Sequence, residues 1–456
     1  MSKRFALLAL AVVSFTLPLA AGNGALSIGK PDDLGFSPER LARVREAVQR
    51  HVDAGQVSGA VTLVARRGKI AQFESYGVMD LESKKPMPKD GIFRLASMSK
   101  PITAVAVMMM VEEGKVRLTD PVSRFIPEFK GAKVAMPRPG ARAGGAPAGP
   151  GGPGGGPSGE RNAAPVFDTV SATRDITIRD LLTHGSGLMS GGLGNSAAPQ
   201  RGPTDTLATY IPKLGAVPLD FQPGTLWRYS GLAGFDVLSR VVEIASGQSI
   251  DQFLKQRLFD PLGMKDTGFF ARPDNQARLV TLYQRTPAGT LERAANQIAL
   301  SSTTYFAGSG GMVSTAEDYA QFAQMLVNGG ELNGRRYLGP KTVALMASNH
   351  TGDLVNGQFG RPARGMGFGL GVQVVEDPVA ADLRQSKGTF GWAGAYGTNI
   401  NIDPQEKMVN IILMQTSTPQ LQRDFENAVM QAIIDRYPCN QHFVRLISLT
   451  SPISNC

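Results

Sequence analysis

Apolar residues return along the chain at two spacings, and each spacing predicts a different kind of element. Between residues 38 and 52 they recur every three or four positions, which predicts an amphipathic helix. Between residues 60 and 65 they run almost without interruption, and the polar residues 66–69 then turn the chain into another apolar stretch at 70–73. This second pattern predicts two strands joined as a hairpin.

A longer apolar run, from residue 102 to residue 110, predicts a buried helix that ends near Gly114. Pro101 falls within the first turn, where proline is tolerated because the amides there have no acceptor inside the helix. Ser97 and Lys100 lie just before this run. Ser97 is therefore expected at the start of the helix.

The rest of the chain divides into a helical block and a block of strands. Helices are predicted in the middle of the chain, at residues 206–214, 232–245 and 250–259. Strands are predicted again at residues 368–375, 397–402 and 408–414, followed by a last helix at 422–436. Strands near both ends of the chain with helices between them indicate an α+β fold.

We therefore predict an α/β sandwich in which one antiparallel sheet is built from both chain ends and flanked by helices. The sheet domain is expected to comprise residues 31–125 and 290–437, with a mostly helical domain, residues 126–289, inserted between them. A cleft between two such lobes is a common place for a ligand site.

The helical domain contains a segment whose composition differs from the rest of the chain. Sixteen of the twenty-three residues from 137 to 159 are glycine or proline. Such a segment cannot bury enough apolar surface to offset the entropy lost on ordering. It is predicted to be a disordered surface insertion.

The N-terminus has the pattern of a secretory signal peptide. Lys3 and Arg4 precede an apolar run at residues 5–21, and small residues follow at 20–22. We expect residues 1–22 to be removed on export and the protein to be periplasmic or extracellular. Because no second apolar stretch of spanning length follows, we expect no stable membrane anchor.

The distribution of charge and the spacing of the histidines argue against a nucleic-acid-binding protein and against a metalloenzyme. The formal net charge is +9, but the basic residues are scattered, so we expect no nucleic-acid partner. The four histidines show no ligand spacing, and we expect no metal or cofactor. Cys439 and Cys456 lie in a tail at 438–456, where they could bridge each other but cannot staple the core.

The spacing of Ser97 and Lys100 points to nucleophilic chemistry. Residues three apart share one face of a helix, so the amine can reach the serine hydroxyl, and the helix N-terminus favours developing negative charge. The same Ser-x-x-Lys pattern occurs at Ser27 and Lys30, but Pro31 follows it and no apolar helix does. Only the Ser97 copy is therefore a candidate site.

Longer segments around Ser97 and elsewhere resemble a known family. Four segments are similar to the serine β-lactamase and penicillin-binding-protein-like hydrolases. They are residues 93–101, with the sequence FRLASMSKP, and residues 176–188, 261–267 and 310–315. The closest branch is the family VIII carboxylesterases, which resemble class C β-lactamases. The resemblance covers residues 34–126 and 176–437, and it implies the β-lactamase/transpeptidase-like fold.

The resemblance implies catalytic roles for Ser97 as nucleophile and for Lys100 and Tyr229 in proton transfer. It implies an oxyanion hole formed by the backbone amides of Ser97 and Ala395. Lys100 acts as the base only if burial favours its neutral amine; otherwise its charge activates Tyr229. The residues leave this choice open.

Two positions depart from the lactamase pattern and are expected to bind substrate. Gly231 replaces the asparagine of the Tyr-x-Asn motif, and Trp392 replaces the lysine of the Lys-Thr-Gly motif, which ends here at Gly394. Loss of the lysine removes the cation that would hold a β-lactam carboxylate. The departures therefore favour esters as substrates.

We predict an exported serine hydrolase, a carboxylesterase that cleaves short-chain acyl esters through an acyl-enzyme on Ser97, with weak β-lactam hydrolysis beside it. The partner is thus a small ester or β-lactam molecule, and no oligomeric state is predicted. A class C-like β-lactamase or D-stereospecific peptidase is the alternative enzyme. A penicillin-binding receptor without turnover is the alternative outside enzymes.

Overall fold

A computed structural model of the chain describes residues 26–138, 167–298, 301–355 and 364–435. The predicted signal peptide, residues 139–159 of the predicted insertion, and the tail with Cys439 and Cys456 lie outside the described residues. Pro137, which composition assigned to the insertion, is instead the last residue of a strand that pairs with Phe167–Ser171.

Sixteen strands are present in the described part of the chain. They are β1 Gly59–Arg66, β2 Lys69–Asp80, β3 Lys85–Pro86, β4 Phe93–Arg94, β5 Lys133–Pro137, β6 Phe167–Ser171, β7 Tyr283–Arg285, β8 Leu291–Arg293, β9 Val313–Ser314, β10 Glu331–Leu332, β11 Arg335–Arg336, β12 Met366–Phe368, β13 Gln373–Val375, β14 Phe390–Ala393, β15 Asn399–Asp403 and β16 Met408–Met414.

Ten α-helices accompany these strands in the same ranges. They are α1 Pro38–Asp53, α2 Ser99–Glu112, α3 Ile178–Leu182, α4 Leu207–Tyr210, α5 Gly234–Ser246, α6 Ile250–Leu254, α7 Asp260–Leu262, α8 Ala316–Val327, α9 Pro340–Met346 and α10 Pro419–Met430.

Eight strands form one antiparallel sheet in the order β12-β13-β14-β15-β16-β1-β2-β3. The two chain ends meet at its centre, where β1 pairs with β16 from Ala60 opposite Met414 to Arg66 opposite Met408. The predicted α+β fold, with one sheet built from both chain ends, is confirmed. The predicted boundaries at residues 126 and 290 stay a prediction.

Both faces of the central strands are covered, which explains why β1 reads as a nearly continuous apolar run. Val61 and Leu63 pack with the core around α2 and α8, whereas Ala60 and Val64 pack with α1 and α10. This is the two-residue alternation of a strand placed between two helical layers. Burial of each such valine or leucine side chain contributes about 1.5–3 kcal/mol.

Some predicted elements differ from the structure for local reasons. Only the first turn of the helix predicted at 206–214 is α-helical, because Pro212 lies in the 3₁₀ turn Ile211–Ala216 that follows. The strand predicted at 368–375 is two strands, β12 and β13, and Gly371 adopts a φ of 81° in the turn between them. A Cβ at Gly371 would lie 2.7 Å from the Ala104 Cβ, so the turn requires glycine.

Two further helices differ at their ends. The helix predicted at 250–259 begins as α6 and continues as the π-helix Lys255–Phe259. The last helix begins at Pro419, three residues earlier than expected, with proline in its first turn. No helix in the four described ranges is both long and apolar enough to cross a bilayer.

Candidate active site

Ser97 lies in the 3₁₀ turn Ala96–Met98, immediately before α2 begins at Ser99. The sequence placed Ser97 at the start of the helix itself, so its position is shifted by one turn. Ala96 has a φ of 47°, a left-handed conformation that costs free energy for a residue with a Cβ. The buried helix α2 holds this turn in place, because its residues from Ser99 to Met110 are all buried.

Lys100 is fully buried, and its amine contacts three oxygens. Nζ lies 3.2 Å from Ser97 Oγ, 2.9 Å from the Gly231 carbonyl oxygen and 2.7 Å from the Ser309 carbonyl oxygen. An ammonium can donate to all three oxygens, while a neutral amine can donate to the two carbonyls and accept from the serine hydroxyl. The geometry therefore satisfies either protonation state of Lys100.

Tyr229 approaches Ser97 from the loop that precedes α5. Its hydroxyl lies 2.7 Å from Ser97 Oγ, and its ring stands 4.8 Å from Lys100 Nζ. The ring also packs against His184, with 4.5 Å between ring centroids. The structure thus brings Lys100 and Tyr229 within hydrogen-bonding distance of Ser97 Oγ, although Tyr229 is 132 positions from Ser97 in the chain.

Trp392, on β14, forms one wall of the site and is 7% exposed. Its Nε1 lies 3.4 Å from the Tyr229 hydroxyl. Its ring packs with Trp227 and Phe368 in a small aromatic cluster. The position that holds a cation in the lactamase motif is therefore aromatic here, and its one polar atom faces Tyr229.

Gly394 allows the end of β14 to approach the Ser97 turn. A Cβ at this position would lie 2.2 Å from the Leu95 carbonyl oxygen, so only glycine fits. Thr398 Oγ1 donates to the same Leu95 oxygen at 3.0 Å. These contacts bring the backbone at Ala395 to the cavity that Ser97 also lines, where its amide was expected.

Gly231 contacts the site through its backbone. Its carbonyl oxygen accepts from Lys100, and the residue does not belong to the described lining of the cavity. A Cβ there would meet only the Tyr229 Cε1 atom, at 3.7 Å, so packing does not require glycine. The missing side chain leaves space beside Tyr229.

Sequence reasoning missed Asp236, a carboxylate buried behind Lys100. Asp236 accepts hydrogen bonds from the Tyr305 hydroxyl and the Ser309 amide, each at 2.9 Å. Burial raises the pKa of Asp236, while the Ser309 hydrogen bonds and the charge of Lys100 oppose that shift. Asp236 thereby holds the loop whose carbonyl contacts Lys100. The available signal was an acidic residue within the apolar pattern of α5.

His184 supports the Tyr229 loop from a fully buried position. It adopts a φ of 60°, and its Nδ1 accepts from the Ser230 amide at 3.2 Å. Burial, and then the charge of Lys100, lower the pKa of His184 well below its usual value, so the imidazole is neutral at neutral pH. His184 therefore fixes the loop that carries Tyr229 through its hydrogen bond with the Ser230 amide.

A cavity of about 560 Å³ opens at Ser97. It is lined by Ser97, Tyr229, Met366, Gln373, Val375, Leu383, Gln385, Thr389, Phe390, Gly391, Trp392, Ala393, Gly394, Ala395, Asn399, Ile400, Asn401, Ser417, Pro419, Gln422, Arg423 and Glu426. Nowhere in the described ranges do three or more histidine, cysteine or acidic side chains form a group that could hold a metal ion.

The fold and this site define a class of protein. An antiparallel sheet between helical layers, with a serine, a lysine and a tyrosine meeting beside its strand β14, is the arrangement of a serine hydrolase. The sequence model described as Beta-lactamase matches residues 44–433. The chain belongs to the β-lactamase family, as the resemblance in the sequence implied.

Relatives of the chain include esterases. It is 35% identical to an uncharacterized protein of Mycobacterium tuberculosis over 84% of this chain and 92% of the relative. It is 30% identical to esterase EstB of Burkholderia gladioli over 87% of this chain and 95% of the relative. The solved structure of EstCE1, a hydrolase with promiscuous acyltransferase activity, superposes with a TM-score of 0.69 at 29% identity, over 86% of this chain and 99% of that one. The chain is thus an esterase-like serine hydrolase of the β-lactamase family.

Proposed function

We propose that this protein is an exported carboxylesterase that hydrolyses small, short-chain acyl esters through an acyl-enzyme on Ser97. The main support for the proposal is that two proton-transfer groups contact Ser97 Oγ. Lys100 Nζ lies 3.2 Å from this oxygen and the Tyr229 hydroxyl 2.7 Å from it. A serine hydroxyl becomes a useful nucleophile when such a base removes its proton.

In the proposed reaction, Ser97 Oγ attacks the ester carbonyl carbon and its proton passes to the Lys100–Tyr229 pair. The amides of Ser97 and Ala395 donate to the oxyanion, and loss of one such donor costs about 3–4 kcal/mol of transition-state stabilisation. The tetrahedral intermediate collapses, the bond to the alcohol oxygen breaks, and the alcohol leaves with the proton. Water then attacks the acyl-enzyme by the same steps and releases the acid.

The preference for esters over β-lactams rests on the two departures from the lactamase motifs. Trp392 offers an indole in place of the ammonium that would pair with a β-lactam carboxylate. Gly231 offers no side-chain amide to hold an acylamide group. Weak β-lactam hydrolysis is still part of the proposal because the acylation chemistry is the same.

A parallel assay tests this proposal. Purified protein is given p-nitrophenyl acetate, a chromogenic cephalosporin and a peptide ending in D-alanyl-D-alanine. We expect the ester to be cleaved with the highest kcat/KM and the cephalosporin slowly. Efficient cephalosporin or peptide cleavage with negligible ester cleavage would establish the lactamase or D-peptidase alternative, and acylation without turnover would establish the receptor alternative.

Export is proposed from the N-terminal pattern alone, in which Lys3 and Arg4 precede the apolar run at 5–21. Expression of the full chain in a bacterial host, followed by fractionation and N-terminal sequencing, tests it. The proposal expects processed protein outside the inner membrane. Unprocessed protein confined to the cytoplasm would contradict it.

A further inference from the structure

The cavity at Ser97 continues around the edge of β14 to the other face of the sheet. The described pairs between β13 and β14 are Gln373 with Gly391 and Val374 with Phe390, so this pairing ends at Gly391. The cavity is lined by Trp392, whose ring contacts Tyr229, and also by Asn399 and Asn401 on the neighbouring strand β15. One space therefore joins the catalytic residues to the face that α10 covers.

Small residues on β14 form the floor of this second part of the cavity. Asn399 lies opposite Ala393 and Asn401 lies opposite Gly391 across the β14–β15 pairing. Both asparagines point towards α10, because their Nδ2 atoms donate to Glu426 at 2.7 Å and 2.9 Å. Gly391 and Ala393 line the recess on the same face, between the sheet and the helix.

The walls of this recess carry polar side chains among apolar ones. Gln385 is buried and donates to Glu426 at 3.3 Å, and Gln422 donates to the Gly397 carbonyl oxygen at 3.0 Å. Glu426 and Arg423 carry the only formal charges among the residues that line the described cavity. Most of the polar groups presented to a ligand are therefore neutral amides and hydroxyls, each of which can donate and accept.

Thr389 supplies a second, independent sign of a ligand. Its side chain is 1% exposed and lines the cavity, yet its Oγ1 has no hydrogen-bond partner among the described residues. A buried hydroxyl without a partner costs about 1–3 kcal/mol. A bound molecule with its own hydroxyl groups would satisfy it.

We propose that this recess binds the alcohol half of the ester, and that this half is a neutral compound rich in hydroxyl groups, of the size of a monosaccharide. The inference rests on the proposed function, since a short acyl group leaves most of the 560 Å³ cavity to the alcohol. Vicinal hydroxyls both donate and accept, which suits the amides of Asn401 and Gln385 and the carboxylate of Glu426. An apolar alcohol would offer these groups no hydrogen bonds beyond those they already make to one another, and sites built to hydrogen-bond a substrate hydroxyl discriminate strongly against analogues that lack it.

A matched pair of acetate esters tests the proposal. Methyl 6-O-acetyl-glucopyranoside and cyclohexylmethyl acetate carry the same acyl group and a six-membered ring, but only the first has hydroxyls. Acetate release is measured for both, with p-nitrophenyl acetate as the reference substrate. We expect kcat/KM for the sugar ester to exceed that of the cyclohexyl ester at least about tenfold.

Three variants locate the effect in the recess. Asn401→Leu and Glu426→Gln are expected to lower kcat/KM for the sugar ester about tenfold more than they lower it for p-nitrophenyl acetate. Thr389→Val removes the unpartnered hydroxyl at nearly constant volume, so it is expected to lower sugar-ester turnover without lowering Tm. Asn427→Leu, at an exposed position of α10 outside the cavity, is the matched control and should change neither substrate.

The results of these assays distinguish a failure of the recess proposal from a failure of the proposed esterase function. If p-nitrophenyl acetate is cleaved but the cyclohexyl ester is cleaved as well as the sugar ester, the recess proposal is wrong and the esterase proposal stands. Equal losses on all three substrates in the recess variants would also overturn it, since they would indicate a structural role. If no ester is cleaved, the proposed function fails and the recess proposal fails with it.

Discussion

The centre of the sheet and the region around Ser97 differ in the kind of side chain that they bury. Where β1 meets β16, apolar side chains alternate between two helical layers and every position of both strands is buried. At Ser97 the same interior holds a buried lysine, a buried carboxylate at Asp236 and a left-handed alanine. The difference indicates that burial of apolar surface stabilises the fold, while a buried polar network positions the catalytic groups. The apolar core must offset the cost of that network.

The largest expected effect is the loss of turnover in Ser97→Ala. Removal of a nucleophile of this kind lowers kcat by about 10⁶-fold in a well-studied serine hydrolase, and we expect a loss of comparable size. Because the change deletes only a hydroxyl, thermal unfolding should occur at the wild-type temperature or above it. Rates with p-nitrophenyl acetate and calorimetry on the same sample measure both, and retained activity would require another nucleophile.

Tyr229→Phe is expected to have the next largest effect. The variant keeps the ring that packs on His184 and loses the hydroxyl 2.7 Å from Ser97 Oγ. We expect kcat/KM to fall about 10²–10⁴-fold, the usual contribution of general acid–base catalysis, with little change in Tm. Tyr210→Phe, whose hydroxyl contacts the Pro199 carbonyl oxygen, is the control and should keep full activity.

Leu63→Ala is expected to lower stability and to leave activity unchanged, because it alters the sheet and not the active site. Leu63 is fully buried on β1, and its truncation should lower the free energy of unfolding by about 2–5 kcal/mol. Below the unfolding transition, kcat/KM should remain near the wild-type value. Denaturant unfolding followed by an ester assay measures the two quantities, and a large loss of activity in folded protein would show that sheet and site are not separable.

The smallest expected effect concerns Asp318, a buried carboxylate in the interior away from Ser97. Asp318 accepts from the Asp266 amide at 2.7 Å and from Thr267 Oγ1 at 2.9 Å, which joins the segment at 261–267 to α8. Burial raises the pKa of Asp318 to about 6. Since the folded state then binds a proton more tightly than the unfolded state, stability falls as pH rises from about 4 to about 6.

Asp318→Asn should remove that contribution, which amounts to at most about 3 kcal/mol. The measurement is the difference in unfolding free energy between wild type and variant at pH 4 and at pH 7. We expect the wild type to lose stability relative to the variant as the pH increases. An unchanged difference across this range would mean that Asp318 titrates at its ordinary pKa.

The chain pattern was sufficient for the central strands of the sheet and for part of the site. Strand β16 was predicted with its observed bounds because it is a continuous apolar run, and the meeting of Ser97 and Lys100 follows from helical spacing. Tyr229 required the resemblance to a family, since no spacing rule connects positions 132 residues apart. Its approach to Ser97 depends on how the loop before α5 packs beside the Ser97 turn.

Other parts of the site have no local signature in the sequence. Asp236 acts through the backbone of Ser309, and a backbone acceptor can be any residue type. The recess beside Glu426 is lined by Gly391 and Ala393 together with the two asparagines opposite them on β15, and that pairing depends on register. The turn at Gly371 was missed because its glycine is required by contact with Ala104 on a distant helix.

The most direct test of the central claim is to map the acyl group after a single turnover. Wild-type protein in excess over p-nitrophenyl acetate is quenched in acid within milliseconds, digested, and analysed by mass spectrometry. We expect one acetyl group on the peptide that contains Ser97, together with one equivalent of p-nitrophenol. Release of p-nitrophenol with the acetyl group on another residue, or with no acetyl-enzyme at any quench time, would contradict it.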